Sequence, residues 1–466
     1  MNRELTVRSI RRIYHDSNHN MCTGAAWFKG ALFVGFRQGD GHVSPNGKVI
    51  VLRSRDGGDS FEHVGLFRGQ TDTRDAHLYK VAQERLHLVA FETEPVCITG
   101  TAWTDDGLGW SAFTRYRGAD GWWLWHPEWF NGRHYCCGYT WKPERRDWGA
   151  IAWFESDNAL DWRQGAVLRE GADCPSECAL TFRANGQAVM LVRRDFKKQT
   201  PLLMTSPPPY RDWSAAELDV PVVGLAVWLV GEDIWFSGRW WLSDAVAHQG
   251  VFRVEKGQAV LKMVLPSGPG FDFSYMGVAR HPLNSARFAL SYYSNHTAPD
   301  DPAVDQWTHP AIYLADVLFD TPFVESFRVS EVVSPPGGLD GAACPDPDRA
   351  GLTWRAVRAY GKDDRGELGF VDATRDIGGK AGVAYFVADL ELGPTSRGVL
   401  HLGYDGPVRV WLNGREVFRG PGRNPAKVDQ TSVPVEFQHG VNRVAVALDT
   451  HGGKACGVFL RYEGLA

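Results

Sequence analysis

Residues 174–195 read "CPSECALTFRANGQAVMLVRRD". Apolar and polar residues alternate on either side of Asn185-Gly186, a dipeptide that signals a tight turn between antiparallel strands. The stretch is a β-hairpin with Glu177 at its open end and Arg193-Arg194 beside it. A two-residue turn at Asn185-Gly186 sets Glu177 opposite Arg194 and Cys178 opposite Arg193. The plain reading of such a pair is a cross-strand ion contact worth about 0.2–1 kcal/mol. The rest of the chain decides whether it is more.

Hairpins of this kind recur. "SRDGGDSF" carries Ser54, Asp56, Gly58 and Phe61 in an S-x-D-x-G-x-x-aromatic box, and looser versions end at Trp110, Trp162 and Trp213, about fifty residues apart. Each box follows a strand pair, such as "ALFVGF" with "VIVLRS". Two further units without the box follow at "VWLVGEDIWFSGRWW" and "MGVARHPLNSARFALSYY". The expected fold is therefore all-β: a propeller over 1–328 with six blades, seven being the alternative count. The boxes themselves are structural, with Asp accepting from turn N–H groups and Gly supplying positive φ. Paired Pro and Gly in "VSEVVSPPGGLDGAACP" mark a linker at 329–345. Period-two alternation over 346–466 predicts a jelly-roll-like β-sandwich, an accessory module that braces the propeller or binds glycan.

Composition narrows the function. Of 466 residues, 23% are charged and the net charge is −5, so the basic field that nucleic-acid binding needs is missing. No stretch is long and apolar enough for a membrane span or a leader peptide. The eight cysteines form no disulfide framework, which points to a reduced cytoplasmic protein; a chain trimmed of its leader would read the same and be secreted or periplasmic. Nineteen Trp and 14 Tyr suit both β cores and the apolar faces of sugars. No cofactor is expected and no metal-ligand spacing occurs, although calcium held by backbone carbonyls in a propeller loop would leave no trace in sequence. Oligomeric state is not readable.

The boxes, the hairpin "SECALTFRANGQAVMLVRRD" and the later "FDFSYMGVARHPLNSARFALSYY" together resemble the sialidase (neuraminidase) superfamily over roughly residues 20–320. The resemblance implies an exo-acting glycoside hydrolase in which Glu177 activates a tyrosine nucleophile, Tyr275, and Arg193 belongs to a carboxylate-binding arginine triad. Family spacing favours Arg193 over the Arg194 of the simple register, and a β-bulge would reconcile the two. A phenol with pKa near 10 needs a carboxylate to take its proton, and sialidases depart from the two-carboxylate rule in this way. The match departs at two places. Asn20 or Met21 stands where the first triad arginine belongs, and "FRQGDGHVSPNG" offers Asp40 or His42 as proton donor with Arg37 as a substitute anion clamp.

Further candidates for an aromatic-walled, cationic pocket are His126, His134, Tyr139, Arg239 and Tyr292, with Arg194 beside the hairpin. "TDTRDAHLY", holding Asp72, Arg74, Asp75 and His77, reads first as a charge network within a blade. Three functions stay open: hydrolysis of a terminal anionic or deoxy sugar through Glu177 and Tyr275, β-elimination of a uronate-containing glycan by His and Tyr, or non-catalytic glycan binding. In each case the partner is an oligosaccharide or polysaccharide.

Overall fold

The computed structural model describes the chain apart from residues 1, 93–97, 143–146, 196–199, 269, 271, 297–308, 350, 394–396 and 465–466. It divides into two compact units, Ser9–Arg280 with Phe288–Val317, and Met1–Arg8 with His281–Arg287 and Leu318–Ala466.

The described residues of the first unit, with the ends of strands that run on into the second, form six four-stranded antiparallel sheets. Their innermost strands are His19–Phe28, Thr73–Val81, Trp123–Phe130, Pro175–Phe182, Val222–Val230 and Ser274–Arg280. Each packs against the next, and the last packs against the first, so the sheets close into a six-bladed propeller. Five blades are simple meanders; in the sixth the outermost strand is Asn2–Tyr14, at the other end of the sequence. That strand scatters Leu5, Val7, Ile10 and Ile13 among charged residues, which hides it from an apolar-run search.

Alternation in each strand fills the clefts between blades. Phe33, Val49, Val51, Leu86, Leu88 and Ala90 form one buried cluster between the first two blades, while Leu32 and Val34 pack with Ala289 and Leu314 of the sixth, and such packing supplies the bulk of the driving force. The boxes sit in the turns between third and fourth strands. Asp56 Oδ1 accepts from the Ser54 hydroxyl at 2.7 Å and the Ser60 N–H at 2.9 Å. Asp106 repeats this with the N–H groups of Leu108 and Gly109 at 2.7 and 2.8 Å. These side chains stand in for backbone acceptors in the turn and do not reach the propeller axis.

The second unit is a β-sandwich of a six-stranded and a four-stranded sheet around a core that includes Phe386, Leu400, Val410, Val446 and Leu460. Its extent corrects the expected boundary. Ser326–Ser330 is already a strand of the six-stranded sheet, and Val333 exchanges backbone hydrogen bonds with Val383 at 2.8–2.9 Å. The Pro- and Gly-rich stretch is thus laid onto the sandwich, with Leu339 and Ala342 in its core, and is no free linker.

Candidate active site

One irregularity repeats in every blade. The register between the two innermost strands slips at Met21/Gly24, Arg74/His77, Trp125/Glu128, Pro175/Cys178, Val223/Ala226 and Ser274/Gly277. Each slip is a β-bulge, which re-aims the side chains it contains. The first bulged residues are Cys22, Asp75, His126, Ser176, Gly224 and Tyr275, and all but Ser176 have left-handed φ, for example 58° at Asp75 and 41° at Tyr275. Backbone strain of this kind in non-glycine residues persists where the surrounding sheet over-determines it.

The hairpin of residues 174–195 shows what the bulge accomplishes. Its turn is longer by one residue than the two-residue reading: Arg183 N–H reaches Gln187 O at 2.9 Å, and Gly186 takes the left-handed position at φ 89°. Cys178 therefore pairs with Val192, and the bulge at Ser176-Glu177 then brings Pro175 opposite Arg194. Glu177 faces Arg193, which corrects the simple register. Arg193 Nη1 donates to Glu177 Oε1 at 2.9 Å and to Tyr275 Oη at 3.0 Å, while Tyr275 Oη donates to Glu177 Oε1 at 2.8 Å. A base, a phenol and a guanidinium thus close a hydrogen-bonded triangle between blades 4 and 6.

Asp195 braces the triangle from behind, accepting from Arg193 Nε at 2.8 Å and from Ser176 Oγ at 2.7 Å. Burial raises the Glu177 carboxyl above its ordinary range against the opposing pull of Arg193. Burial and the Glu177 charge push the Tyr275 hydroxyl well up. Glu177 Oε2 is buried and finds no hydrogen-bond partner among the described residues. The phenol keeps its proton at rest, with an acceptor already in contact to take it.

Asp75 and Arg74 flank this triangle from the blade 2 bulge. Burial raises the Asp75 carboxyl although Arg74 and a hydrogen bond from Cys22 pull it down. The Asp75 charge in turn contributes to raising Tyr275. Arg74 has its nearest carboxylate contact with Asp72 at 3.9 Å and meets His42 Nε2 at 3.4 Å. The sequence holds both residues in plain view, but only the bulge at Asp75-Ala76 sets Asp75 where its charge reaches Tyr275.

The expected first-blade residues divide. Arg37 is fully buried and doubly bonded to Asp72 Oδ1 at 2.9 and 2.7 Å, with Gly41 O taking Nη1. It is committed to the blade and does not serve as an anion clamp. Asp40 is exposed on the loop, its N–H bonded to Asn46. His42 is bonded through Nδ1 to Asp272 Oδ2 at 3.1 Å.

Of the remaining candidates, Arg194 lies on the strand face opposite Arg193, tied to Thr200 O at 2.7 Å and Glu217 Oε1 at 2.7 Å. Arg239 donates to Phe273 O at 3.0 Å, two residues from Tyr275. Tyr139 is buried beneath the triangle against Trp123 and Trp125, and Trp125 meets the Tyr275 ring edge-on at 5.8 Å. Tyr292 is core, stacked on Tyr313 at 5.4 Å. His134 is buried and bonded to Tyr79 at 3.1 Å, and its pKa falls to about 4 through desolvation. His126 stacks on His77 at 4.4 Å and lines an axial cavity of about 360 Å³ with Glu128, Trp228 and Arg280. That cavity follows the inner strands past their bulges and contains none of Glu177, Arg193 or Tyr275.

Three likenesses to solved structures accompany this geometry. A Dyadobacter fermentans protein of unknown function superposes with a TM-score of 0.58 at 13% identity, over 68% of this chain and 99% of that one. A Penicillium chrysogenum alpha-L-arabinanase complexed with arabinobiose gives 0.47 at 13% identity over 68% and 98%. Trypanosoma rangeli sialidase in complex with the inhibitor DANA gives 0.48 at 9% identity over 99% and 97%. The first shows a shared fold; the other two are weaker likenesses. No family model matches the chain, and no curated protein matches it in sequence.

Sequence spacing predicts no metal ligands, yet the fold assembles three potential ones: His19, His42 and Asp272. Asp272 Oδ2 meets His19 Nε2 at 2.5 Å as well as His42, and its Oδ1 accepts from Tyr293 Oη at 3.2 Å. Burial would raise this carboxyl, but the hydrogen bonds from the two imidazoles outweigh it and hold it well below the ordinary range. His19 and Asp272 are separated by 253 residues in sequence, so no local motif could reveal them.

Proposed function

We propose that the chain is a retaining glycoside hydrolase that removes a terminal anionic sugar, with Tyr275 as nucleophile, Glu177 as its base and Asp75 as acid. The observation that carries this is the Arg193–Glu177–Tyr275 triangle. As Tyr275 Oη attacks the anomeric carbon, Glu177 Oε1 takes the phenolic proton, and Arg193, donating to both oxygens, stabilises whichever holds the charge. Asp75, whose carboxyl burial raises above its ordinary range, gives its proton to the departing glycosidic oxygen. In the second half Asp75 takes a proton from water, the water oxygen bonds to the anomeric carbon, and the phenolate recovers its proton from Glu177.

Asp75 replaces Asp40 and His42 in the acid role because it shares the bulge ring with Tyr275, whereas Asp40 is exposed on its loop and His42 is held by Asp272. A phenol nucleophile suits an anionic substrate, since it avoids setting a second carboxylate against the anion. Arg74, whose nearest carboxylate contact among the described residues is 3.9 Å away, is the guanidinium we assign to that anion. The exo mode rests on the resemblance to sialidases alone. Elimination by histidine has less support: His126 and His134 are buried, their pKa values driven down by desolvation, and neither touches the triangle.

The test is incubation with uronate- and sialate-capped oligosaccharides, reading released sugar by mass and unsaturated uronate by ultraviolet absorbance. A released monosaccharide of retained anomeric configuration supports hydrolysis. A rising unsaturated chromophore would mean β-elimination, and tight binding without turnover of any substrate would mean a glycan-binding propeller.

A further inference from the structure

We propose that His19, His42 and Asp272 bind one first-row transition-metal ion of the Zn²⁺ class, with three protein ligands and a fourth position open to solvent at the propeller mouth. The proposal is independent of the reaction proposed above.

The three residues come from separate elements that the propeller brings together. His19 opens the innermost strand of blade 1, His42 lies in the loop after that blade's second strand, and Asp272 precedes the innermost strand of blade 6. Their ligand atoms all lie within 4.8 Å of one another. Two imidazole nitrogens crowd onto a single carboxylate oxygen, Asp272 Oδ2, at 2.5 and 3.1 Å. Ligand atoms around a tetrahedral ion with bonds of about 2.0–2.2 Å stand roughly 3.3 Å apart, so less than about 1 Å of spreading makes room for the ion. The contact that must open is His19–Asp272, both buried at 1% and 2% side-chain exposure, whereas His42, already 3.1 Å from the carboxylate oxygen, is 46% exposed on a loop and is free to complete the site.

The donor chemistry selects the metal. Two imidazoles and one carboxylate suit Zn²⁺ and its first-row neighbours, whereas Ca²⁺ and Mg²⁺ call for oxygen ligands throughout. Asp272 also has the outer support that ligating carboxylates carry, because Tyr293 Oη holds its second oxygen. Without an ion one carboxylate oxygen, Asp272 Oδ2, must take both imidazoles. Arg74 stands beside the non-ligating Nε2 of His42 at 3.4 Å, so an anionic group filling the fourth position would be shared between ion and guanidinium. Three ligands with an open fourth position is the arrangement of catalytic zinc sites, in contrast to closed structural ones.

The test is direct. Full-length protein stripped with chelator and dialysed is titrated with Zn²⁺ by calorimetry, with metal content read by mass spectrometry and the site filled with Co²⁺ for its visible spectrum. The expected result is one ion per chain, a four-coordinate Co²⁺ spectrum and a Tm that rises with Zn²⁺. His42→Ala, an exposed change that the fold tolerates, abolishes all three, and Tyr293→Phe weakens affinity about 10-fold. Equal Zn²⁺ uptake by wild type and His42→Ala, or no uptake by a folded wild type, overturns the proposal.

Discussion

Tyr275 and Glu177, 98 residues apart, share a hydrogen bond of 2.8 Å between phenol and carboxylate at the meeting of blades 4 and 6. The bond puts an acceptor on a proton that would otherwise stay on a hydroxyl driven well above its usual range. Glu177→Gln and Tyr275→Phe should each lower kcat by about 10²–10⁴-fold, the range for losing a positioned proton acceptor or its donor. Neither should lower Tm appreciably, since Glu177 already leaves one buried oxygen without a partner among the described residues. The check is turnover of the oligosaccharide panel beside a thermal melt. A fully active Glu177→Gln protein would remove the proposed mechanism.

The adjacent arginines should separate cleanly. Arg193 contacts the proposed base and nucleophile, Glu177 and Tyr275, so Arg193→Lys, which keeps charge but loses the planar fork, is expected to cost activity with little change in Tm. Arg194 points away and holds Thr200 and Glu217, so Arg194→Ala is expected to destabilise by about 2 kcal/mol while the remaining folded protein turns over normally. Activity per folded molecule and urea midpoints, measured on the same preparations, decide this. If Arg194→Ala were the inactive variant and Arg193→Lys the unstable one, the two faces of the strand would be wrongly assigned.

Asp75 can be examined through the leaving group. An acid is needed to expel a sugar oxygen and much less to expel an acidic phenol, so Asp75→Asn should lose most activity on oligosaccharides and retain it on an aryl glycoside of the same sugar. Burial raises the Asp75 carboxyl, and the proposed acid works in its protonated form. Wild-type kcat should therefore fall as pH rises through that raised value, and this basic limb should vanish in the variant. Equal losses on both substrates would take the acid role from Asp75.

These residues differ in how far the sequence reveals them. Glu177, Arg193 and Tyr275 stand out because the hairpin and the family pattern name them, and the repeating turn boxes reveal the blades. What sequence does not carry is register. Whether Arg193 or Arg194 meets Glu177 depends on one extra turn residue and one bulge, and either slip exchanges the two faces of the strand. The same ambiguity makes Arg37 look available when Asp72 has already taken it, and leaves Asp75 among ordinary blade charges. Asp272 is beyond any local reading, since its partners His19 and His42 lie 253 and 230 residues away. The strand Asn2–Tyr14 escapes for a related reason, because it is recognisable only by the sixth sheet it completes.

Acid sensitivity should trace to buried neutral histidines. Desolvation lowers His134 to about 4, and desolvation with the neighbouring His134 lowers His87 to about 3. Unfolded histidine titrates near 6.5. Between pH 6.5 and these folded values the unfolded chain binds more protons, so stability is full above pH 6.5 and declines as pH falls, by up to about 1.4 kcal/mol per pH unit for each histidine. His134→Gln keeps an acceptor for Tyr79 and removes one titrating group. Its Tm should fall less steeply than wild type from pH 6.5 to 4. Parallel curves would show that other groups govern the acid limb.

The bulge ring makes a final prediction through two glycines that share left-handed φ but not surroundings. Gly224 has φ 63°, and a Cβ there would stand 2.2 Å from Ser274 Oγ and 3.5 Å from the Tyr275 ring. Gly231 has φ 59° and open space around it. Alanine at either position incurs the conformational cost of positive φ, about 1 kcal/mol. Only at Gly224 must Ser274 also yield, breaking its hydroxyl bond to Gly224 O at 2.8 Å and shifting Tyr275, the proposed nucleophile, next to it. Gly224→Ala should therefore lose both stability and kcat, and Gly231→Ala stability alone. A small displacement of a reacting group costs about 10²-fold in rate, so kcat is the discriminating readout. Equal kcat in the two variants would mean that the bulge shapes the blade without holding Tyr275 in place.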